Sequence, residues 1–177
     1  ATSFVTVAEA CGVRERGLRL ASKFWEDISR VSDIAAAAGS RPRVLYLEWL
    51  DPPYDAGHWI PEMFGHSGCT SALPADADRK ATEKSVQLTW DDIYESDPDV
   101  VVVGCCGFDT ERNARDALAA RDRLEGLRAF RTGRVYATDG NLYFARPGPG
   151  LREGVAILAR CVHDGDDAVD IRPGRLG

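Results

Sequence analysis

Three histidines and five cysteines are the side chains of this sequence best suited to metal binding or nucleophilic chemistry. His58, Glu62 and His66 are spaced four residues apart, so they would share one face of a helix, and imidazole and carboxylate groups are zinc ligands. Pro61 argues against this site because proline interrupts a helix that runs through all three residues. His58 is also explained as a hydrogen-bonded loop residue. We therefore predict no metal site.

The cysteines do not form a recognisable pattern. They are Cys11, Cys69, Cys105, Cys106 and Cys161. An odd number without a C-x-x-C pair predicts neither a disulfide framework nor a zinc site, and free thiols favour a reducing compartment. Cys105–Cys106 follows an apolar run, where a free thiol behaves as a small hydrophobe. Nucleophilic catalysis with His58 is less favoured because no third residue orients the pair, so we predict no catalytic residue, no catalytic cofactor and no enzyme activity.

Aromatic side chains concentrate in three segments, each of which follows a predicted strand. Their aromatic residues are Trp49, Tyr54, Trp59, Phe108, Tyr143 and Phe144. Ligands of open α/β sheets bind at the carboxyl ends of the strands, so the three segments should meet at one edge. An edge rich in aromatic rings and without a paired acid and base predicts a binding surface for a large flat ligand. Trp49 and Trp59 are equally consistent with buried core anchors.

The order of the predicted strands and helices around these segments indicates the fold class. Strands are predicted at 43–49, 100–103 and 133–138, and helices at 59–66, 89–96, 111–127 and 151–162. Thr89 is the expected cap of the second helix, and 70–85 is expected to be a surface loop. The order of elements predicts an α/β protein, a Rossmann-like three-layer lobe with a mostly parallel sheet.

A long helix precedes this lobe. Between residues 13 and 38, apolar side chains recur at three- and four-residue spacing, namely Leu20, Phe24, Ile28, Val31 and Ile34. Gly39 and Pro42 end the pattern. A helix more than twice the average length is a suitable link between two bodies.

Composition and charge exclude several classes of function. A chain of 177 residues with 44% hydrophobic and 28% charged residues has the composition of one globular domain. A net charge of -6 argues against a nucleic-acid partner, which requires a basic face. No stretch of 18 apolar residues predicts a membrane span, and the first ten residues do not resemble a signal peptide.

Several short motifs, taken in order, resemble the cobalamin/iron-siderophore class of ABC-transporter substrate-binding proteins, most closely its cobalamin-binding branch. The similarity covers about residues 41–162. The motifs are Glu48-Trp49-Leu50-Asp51-Pro52-Pro53, Gly57-His58-Trp59-Ile60-Pro61-Glu62, Thr89-Trp90-Asp91-Asp92, Asp97-Pro98-Asp99-Val100, Cys106-Gly107-Phe108-Asp109, Gly133-Arg134-Val135-Tyr136, Asp139-Gly140-Asn141 and Tyr143-Phe144-Ala145-Arg146-Pro147-Gly148-Pro149.

The resemblance implies a domain organisation. Residues 1–40 would be the end of an amino-terminal lobe and the interlobe helix, 41–164 the carboxy-terminal lobe, and 165–177 a loosely ordered tail. Two lobes of this class hold the ligand between them, and the remainder of the amino-terminal lobe lies outside this chain. The resemblance also implies an extracytoplasmic protein, periplasmic or surface-anchored, although the free cysteines leave an intracellular location open.

The resemblance further implies ligand-binding and partner-docking residues. The ligand would be a corrinoid such as cobalamin, bound by Trp49, Asp51, Tyr54, His58, Trp59, Phe108, Asp109, Asn141, Tyr143, Phe144 and Arg146. Members of the class dock on arginines of an ABC permease through one acidic residue per lobe, and the candidates here are Asp91 and Asp92. Acidic residues at a helix start are also explained by the helix dipole alone.

Two other functions remain open at this point. The lobe could be a structural or interaction subunit of a larger assembly, or its ligand could be a ferric siderophore or haem, with Tyr143 or His58 near the iron. Siderophore sites require arginines that meet ligand carboxylates, and only Arg146 and Arg112 are suitably placed. The corrinoid is therefore the preferred ligand.

Overall fold

A five-stranded sheet forms the centre of the computed structural model, which describes residues 1–73, 84–163 and 169–170. The strands are β1 (Arg43–Leu47), β2 (Trp49–Leu50), β3 (Pro53–Tyr54), β4 (Thr70–Ser71), β5 (Val100–Val103), β6 (Val135–Ala137) and β7 (Val169–Asp170). The sheet has the order β4-β1-β5-β6-β7, in which the first four strands are parallel and β7 is antiparallel. Strands β2 and β3 form a separate antiparallel pair. The predicted α/β class with a mostly parallel sheet is confirmed.

Helices cover both faces of this sheet. They are α1 (Thr2–Ala10), α2 (Arg14–Ala37), α3 (Ile60–His66), α4 (Trp90–Ser96), α5 (Thr110–Ala119), α6 (Arg121–Leu124), α7 (Arg128–Arg131), α8 (Gly140–Tyr143) and α9 (Leu151–His163). Helices α2, α3 and α9 share one hydrophobic core with the sheet, and α4 to α7 share another. Among the described residues, every helix is too short or too polar to span a bilayer.

The two cores explain why the central strands are apolar at every position. In β1, Val44 and Tyr46 face the core under α2, α3 and α9, whereas Leu45 and Leu47 face the opposite core. All four side chains are at most 1% exposed. Alternate residues of a strand point to opposite faces, so a strand covered by helices on both sides has no solvent-facing position.

Helix α2 confirms the predicted long helix but buries less of it than the sequence pattern suggests. Phe24 and Ile28 lie in the core, whereas Leu20 and Ile34, which share the predicted apolar face, are 48% and 67% exposed. Helix α1 folds back on α2, and Gly17 permits the close approach because a Cβ there would lie 2.5 Å from the Cβ of Ala8.

Three local predictions were wrong. The helix predicted at 111–127 is divided into α5 and α6, because a break at Ala120 turns the chain so that Leu124 and Leu127 both reach the core. Residues Thr70–Ser71, predicted as loop, form strand β4 beside β1. Helix α8 lies in the segment after the third predicted strand, where no helix was predicted. Of the loosely ordered tail predicted at 165–177, only β7 is described, and it is an edge strand. The rest of that tail lies outside the described residues, as do residues 74–83.

Candidate functional site

The carboxyl ends of β1, β5 and β6 meet, as predicted, at one edge of the sheet. We define the carboxyl edge as residues 48–59, 104–109 and 138–144. Backbone hydrogen bonds continue past the ends of the strands, since Gly104 N–H donates to Leu47 O and Cys106 N–H donates to Glu48 O, both at 3.1 Å. The first two segments are therefore held side by side where they leave the sheet.

One group of aromatic side chains at this edge is centred on Trp49 and Phe108. Their ring centroids are 5.1 Å apart, and the Arg112 guanidinium lies 4.5 Å from the Phe108 centroid. The Trp49 indole N–H donates to Asp51 O at 3.1 Å. Both rings are half-buried, so each presents part of its surface to solvent. Tyr54 pairs with Trp49 across the β2–β3 hairpin.

A cavity of about 430 Å³ opens beside this group, between the hairpin and helices α5 and α6. Trp49, Phe108 and Arg112 line it together with Arg123, whose guanidinium lies 3.6 Å from the exposed carboxylate of Asp51. Apolar ring surface and paired charges therefore occur within one concave region.

A second aromatic group lies at the same edge, over the core on the opposite face of the sheet. The Trp59 indole N–H donates to Phe144 O at 2.8 Å, and the His58 ring is 5.7 Å from the Trp59 ring. His58 is exposed and has a φ of 56°, a left-handed conformation that is uncommon outside glycine. Trp59 and Tyr143 are half-buried against the core under α2, α3 and α9.

Phe144 is a core residue, in contrast to its predicted place in the ligand surface. Its side chain is 1% exposed and its ring centroid lies 5.0 Å from that of Tyr46. Only its carbonyl, which holds Trp59, contributes to the carboxyl edge. The reason is the direction of the side chain at the end of α8, which points towards the sheet.

The polar residues predicted at the edge have local partners. Asp109 caps α5 by accepting a hydrogen bond from Arg112 N–H at 2.8 Å. Asn141 Oδ1 accepts a hydrogen bond from Arg146 Nε at 2.8 Å, so these two predicted residues act as a pair. Tyr54 donates its hydroxyl to Gln87 Oε1 at 3.2 Å. Asp109 thus has a structural role in addition to any contact with a ligand.

One residue that organises the edge is absent from the predicted set. Asn113 of α5 is fully buried beneath the edge and bonds to the segments that follow both β5 and β6. Its only signal in the sequence is an asparagine, a poor helix former, in the first turn of a predicted helix. That signal could indicate a buried polar contact but could not identify the partners.

The cysteines are poorly suited to nucleophilic chemistry. Burial raises the pKa of Cys69, Cys105 and Cys161 to about 12. Partial burial of the Cys106 thiol and the negative charge of Glu48 raise its pKa to about 11. A thiol with a raised pKa supplies little thiolate at neutral pH, and the thiolate is the nucleophile.

The buried thiols predict a loss of stability at alkaline pH. Each folded-state pKa lies above the unfolded value, so the contribution is complete below about pH 9 and is lost as pH rises towards 12. Relative to the double variant Cys69→Ala, Cys161→Ala, the wild-type free energy of unfolding should fall by about 1 kcal/mol per thiol per pH unit above pH 9. Urea denaturation at pH 8 and pH 10 measures this, and identical pH slopes for both proteins would contradict it.

The histidines do not gather around a metal position. His66 Nδ1 lies 3.2 Å from Ser32 Oγ, and its ring is 6.2 Å from the Trp25 ring. Within residues 1–73 and 84–163, no three histidine, cysteine or acidic side chains are grouped so that they could hold a metal ion.

The predicted docking residues lie at the start of α4. Thr89 and Asp92 form a capping box, with Asp92 N–H donating to Thr89 Oγ1 at 3.1 Å and Thr89 N–H donating to Asp92 Oδ2 at 2.8 Å. The hydrogen bonds from the Thr89 hydroxyl and backbone lower the pKa of Asp92. Asp91 is exposed and takes no part in the capping box, which makes it the better docking candidate.

Comparison with known proteins agrees with this architecture. A curated relative from Halobacterium salinarum, named cobalamin-binding protein, is 31% identical over 141 residues, which are 76% of this chain and 37% of the relative. The periplasmic haem-binding protein RhuT from Roseiflexus sp. RS-1 superposes with a TM-score of 0.73 at 25% identity, over 93% of this chain and 62% of that one. An ABC-transporter substrate-binding protein from Listeria monocytogenes EGD-e, at 17% identity, shares the fold with a TM-score of 0.76, over 92% and 63%.

The family is established by a match over most of the chain. The model of the periplasmic binding protein family matches residues 1–142. The chain spans 37% of the length of the curated relative and 62% of the length of the Roseiflexus protein. The predicted resemblance to the cobalamin/iron-siderophore class is confirmed, and the chain belongs to the periplasmic binding protein family.

Proposed function

We propose that this chain binds a corrinoid, such as cobalamin, as the carboxy-terminal half of an ABC-transporter substrate-binding protein. The observation that carries the proposal is the half-buried Trp49–Phe108 pair at the carboxyl edge, in a chain 31% identical to a protein named cobalamin-binding. Exposed faces of aromatic rings bind large planar ligands by apolar contact.

The chemistry of a corrinoid agrees with the other residues of the edge. A corrin ring has an apolar face and a rim of amide groups, which need both donors and acceptors. The Asn141–Arg146 pair supplies donors and Asp51 supplies an exposed acceptor. Trp59 and Tyr143 provide further apolar surface on the other side of the edge. We propose that a second lobe, outside this chain, covers the opposite face of the ligand.

We also propose the partner and location that accompany this role. An ABC permease would receive the loaded protein on the extracytoplasmic side, and Asp91, exposed at the start of α4, would meet a permease arginine. Asp92 is already engaged by its capping box and would contribute negative charge at the same helix end.

Haem is the second candidate ligand, and a specific observation favours it. The relative from Roseiflexus is named a periplasmic haem-binding protein. Tyr143 is half-buried and His58 is exposed at the carboxyl edge, and both are side-chain types that ligate haem iron. Under this alternative, one of these two side chains would bind the iron directly.

Calorimetric titration with cyanocobalamin, and separately with haemin, tests the proposal. We expect saturable cyanocobalamin binding that weakens at least about tenfold in Trp49→Ala, since the Ala variant removes one of the two ring faces. Ile34→Ala is the control, because Ile34 is 67% exposed near the end of α2, beside Val31 and Arg160 and not beside residues of the carboxyl edge, and this variant should bind like the wild type.

The outcomes distinguish the candidates. Haemin binding with an iron spectrum that changes in Tyr143→Phe or His58→Ala would replace the corrinoid by haem. Cyanocobalamin binding only by a longer protein with the amino-terminal lobe would retain the corrinoid and assign half of the contacts to that lobe. Binding of neither ligand in either form would contradict both and leave a role in protein contacts.

A further inference from the structure

Asn113 occupies an unusual position for an asparagine. It lies in α5 and is fully buried beneath the carboxyl edge, where an apolar side chain would be the ordinary choice. A buried amide is costly unless each of its polar atoms has a partner. The partners of Asn113 therefore indicate why the residue is there.

Every polar atom of the Asn113 side chain has such a partner. Its Oδ1 accepts a hydrogen bond from Cys105 N–H at 3.1 Å, and its Nδ2 donates to Thr138 O at 2.8 Å and to Phe108 O at 3.3 Å. One N–H and two carbonyls fix which end of the amide faces which partner. The three bonds join the segment after β5 to the segment after β6.

The two segments also contact each other directly. Phe108 O accepts a second hydrogen bond from Asn141 N–H at 3.2 Å. Gly140 packs against the backbone of Gly104–Cys105, so closely that a Cβ at residue 140 would lie 2.3 Å from Cys105 O. Asn113 thus lies beneath a junction at which both loops meet without intervening side chains.

We propose that Asn113 is the positioning residue that sets the distance between Phe108 and the Asn141–Tyr143 turn, and with it the width of the carboxyl edge. Its contribution to ligand binding rests on the proposed function, whereas its control of the two loops does not. The side chain reaches no solvent, so it acts through Phe108 and Asn141 and not by touching the ligand. Binding residues keep their geometry only when such supporting bonds hold them.

Hydrogen–deuterium exchange of Asn113→Leu tests this without a ligand. Leucine has the same branching and the same number of side-chain heavy atoms, but it removes the partner of Cys105 N–H, the partner of Thr138 O and one of the two hydrogen bonds to Phe108 O. We expect amides of 104–109 and 138–144 to exchange at least about tenfold faster, with α2 and α9 unchanged. Asn113→Ser, which keeps a hydroxyl donor, is the second variant if leucine prevents folding, and it should show the same pattern more weakly.

Ser67→Ala provides the matched control. Ser67 is also fully buried, and its hydroxyl donates to Val155 O at 2.9 Å, which joins α3 to α9 on the other face of the sheet. This variant removes a buried hydrogen bond of the same kind but should leave exchange at 104–109 and 138–144 unchanged. Faster exchange spread evenly over the chain in Asn113→Leu, or loops as protected as in the wild type, would overturn the proposal.

Ligand affinity gives the second measurement. If the wild type binds cyanocobalamin, Asn113→Ser should bind about 10- to 100-fold more weakly, the range seen when supporting hydrogen bonds around metal ligands are removed. Ser67→Ala, compared at equal thermal destabilisation, should bind like the wild type. Equal affinity loss in both variants would overturn the positioning role. Absence of binding by the wild type, both as this chain and with the amino-terminal lobe, would contradict the proposed function only, because the exchange experiment still decides the role of Asn113.

Discussion

Replacement of Phe144 by alanine should lower the free energy of unfolding by about 3–5 kcal/mol, the usual cost of removing a buried phenylalanine. The ring is 1% exposed and packs against Tyr46 of the central sheet, so its loss leaves a cavity that the rigid strand cannot close. Urea denaturation followed by circular dichroism measures the change. The Trp59 hydrogen bond should survive, because its acceptor is the backbone carbonyl of residue 144.

Phe108→Ala is the natural comparison, because Phe108 was predicted for the same surface and is only half-buried. Its loss should cost about 1–2 kcal/mol, from partial burial and the contact with the Arg112 guanidinium. A smaller stability loss for Phe144→Ala than for Phe108→Ala would contradict the assignment of Phe144 to the core and restore it to the ligand surface.

Gly140→Ala should destabilise the protein by about 3 kcal/mol or more, because overpacking against backbone leaves no flexible atom to move. The added Cβ would lie 2.3 Å from Cys105 O and 2.4 Å from Gly104 O. The two loops would have to separate, and the hydrogen bond from Asn141 N–H to Phe108 O would be lost with them. Thermal and urea denaturation should both report the change.

Gly148→Ala tests whether this effect is specific to the junction. Gly148 lies a few residues further along the same connection, and a Cβ there would have no neighbour within 4 Å. We expect a change within about 0.5 kcal/mol of the wild type, as for most surface substitutions. Similar losses for the two glycines would mean that the close approach of residues 104–105 and 140 is not maintained in solution.

The elements that could be predicted from the sequence are those with a strong local cause. The continuous run Val100–Val103 predicted a strand covered on both faces, and it is the central strand. Thr89 and Asp92 predicted a helix start through a bond between residues three apart in the chain. In both cases the residues that determine the structure are neighbours in sequence, so no knowledge of the fold was needed.

The elements that escaped prediction depend on distant partners. Strand β4 has only two residues, and its strand character comes from the register of Arg43 and Val44 with Thr70 and Ser71. The break at Ala120 is not marked by a glycine or proline in the sequence, and it accompanies the burial of Leu124 in the core. Neither feature leaves a periodic pattern in the sequence.

In the candidate site, too, features with a local cause could be predicted, whereas features that depend on distant residues could not. The position of aromatic residues after each strand indicated which edge would be used, and Trp49, Trp59 and Phe108 lie there. Spacing could not tell which way each ring points, so Phe144 was assigned to the surface although it is buried. Asn113 was missed because its role exists only when loops from two different strands meet above it.

The pairing of β1 with β5 has a consequence for the newly made chain. Val44 aligns with Val100 and Leu47 with Val103, so the partner strand of β1 is synthesised 56 residues after it. Ribosomes add about 5–20 residues per second, and the apolar edge of β1 is therefore without its central partner for roughly 3 to 11 s of synthesis. Non-local parallel pairing is also intrinsically slow. During that interval the nascent chain presents an open strand edge, which is the kind of surface that holding chaperones cover.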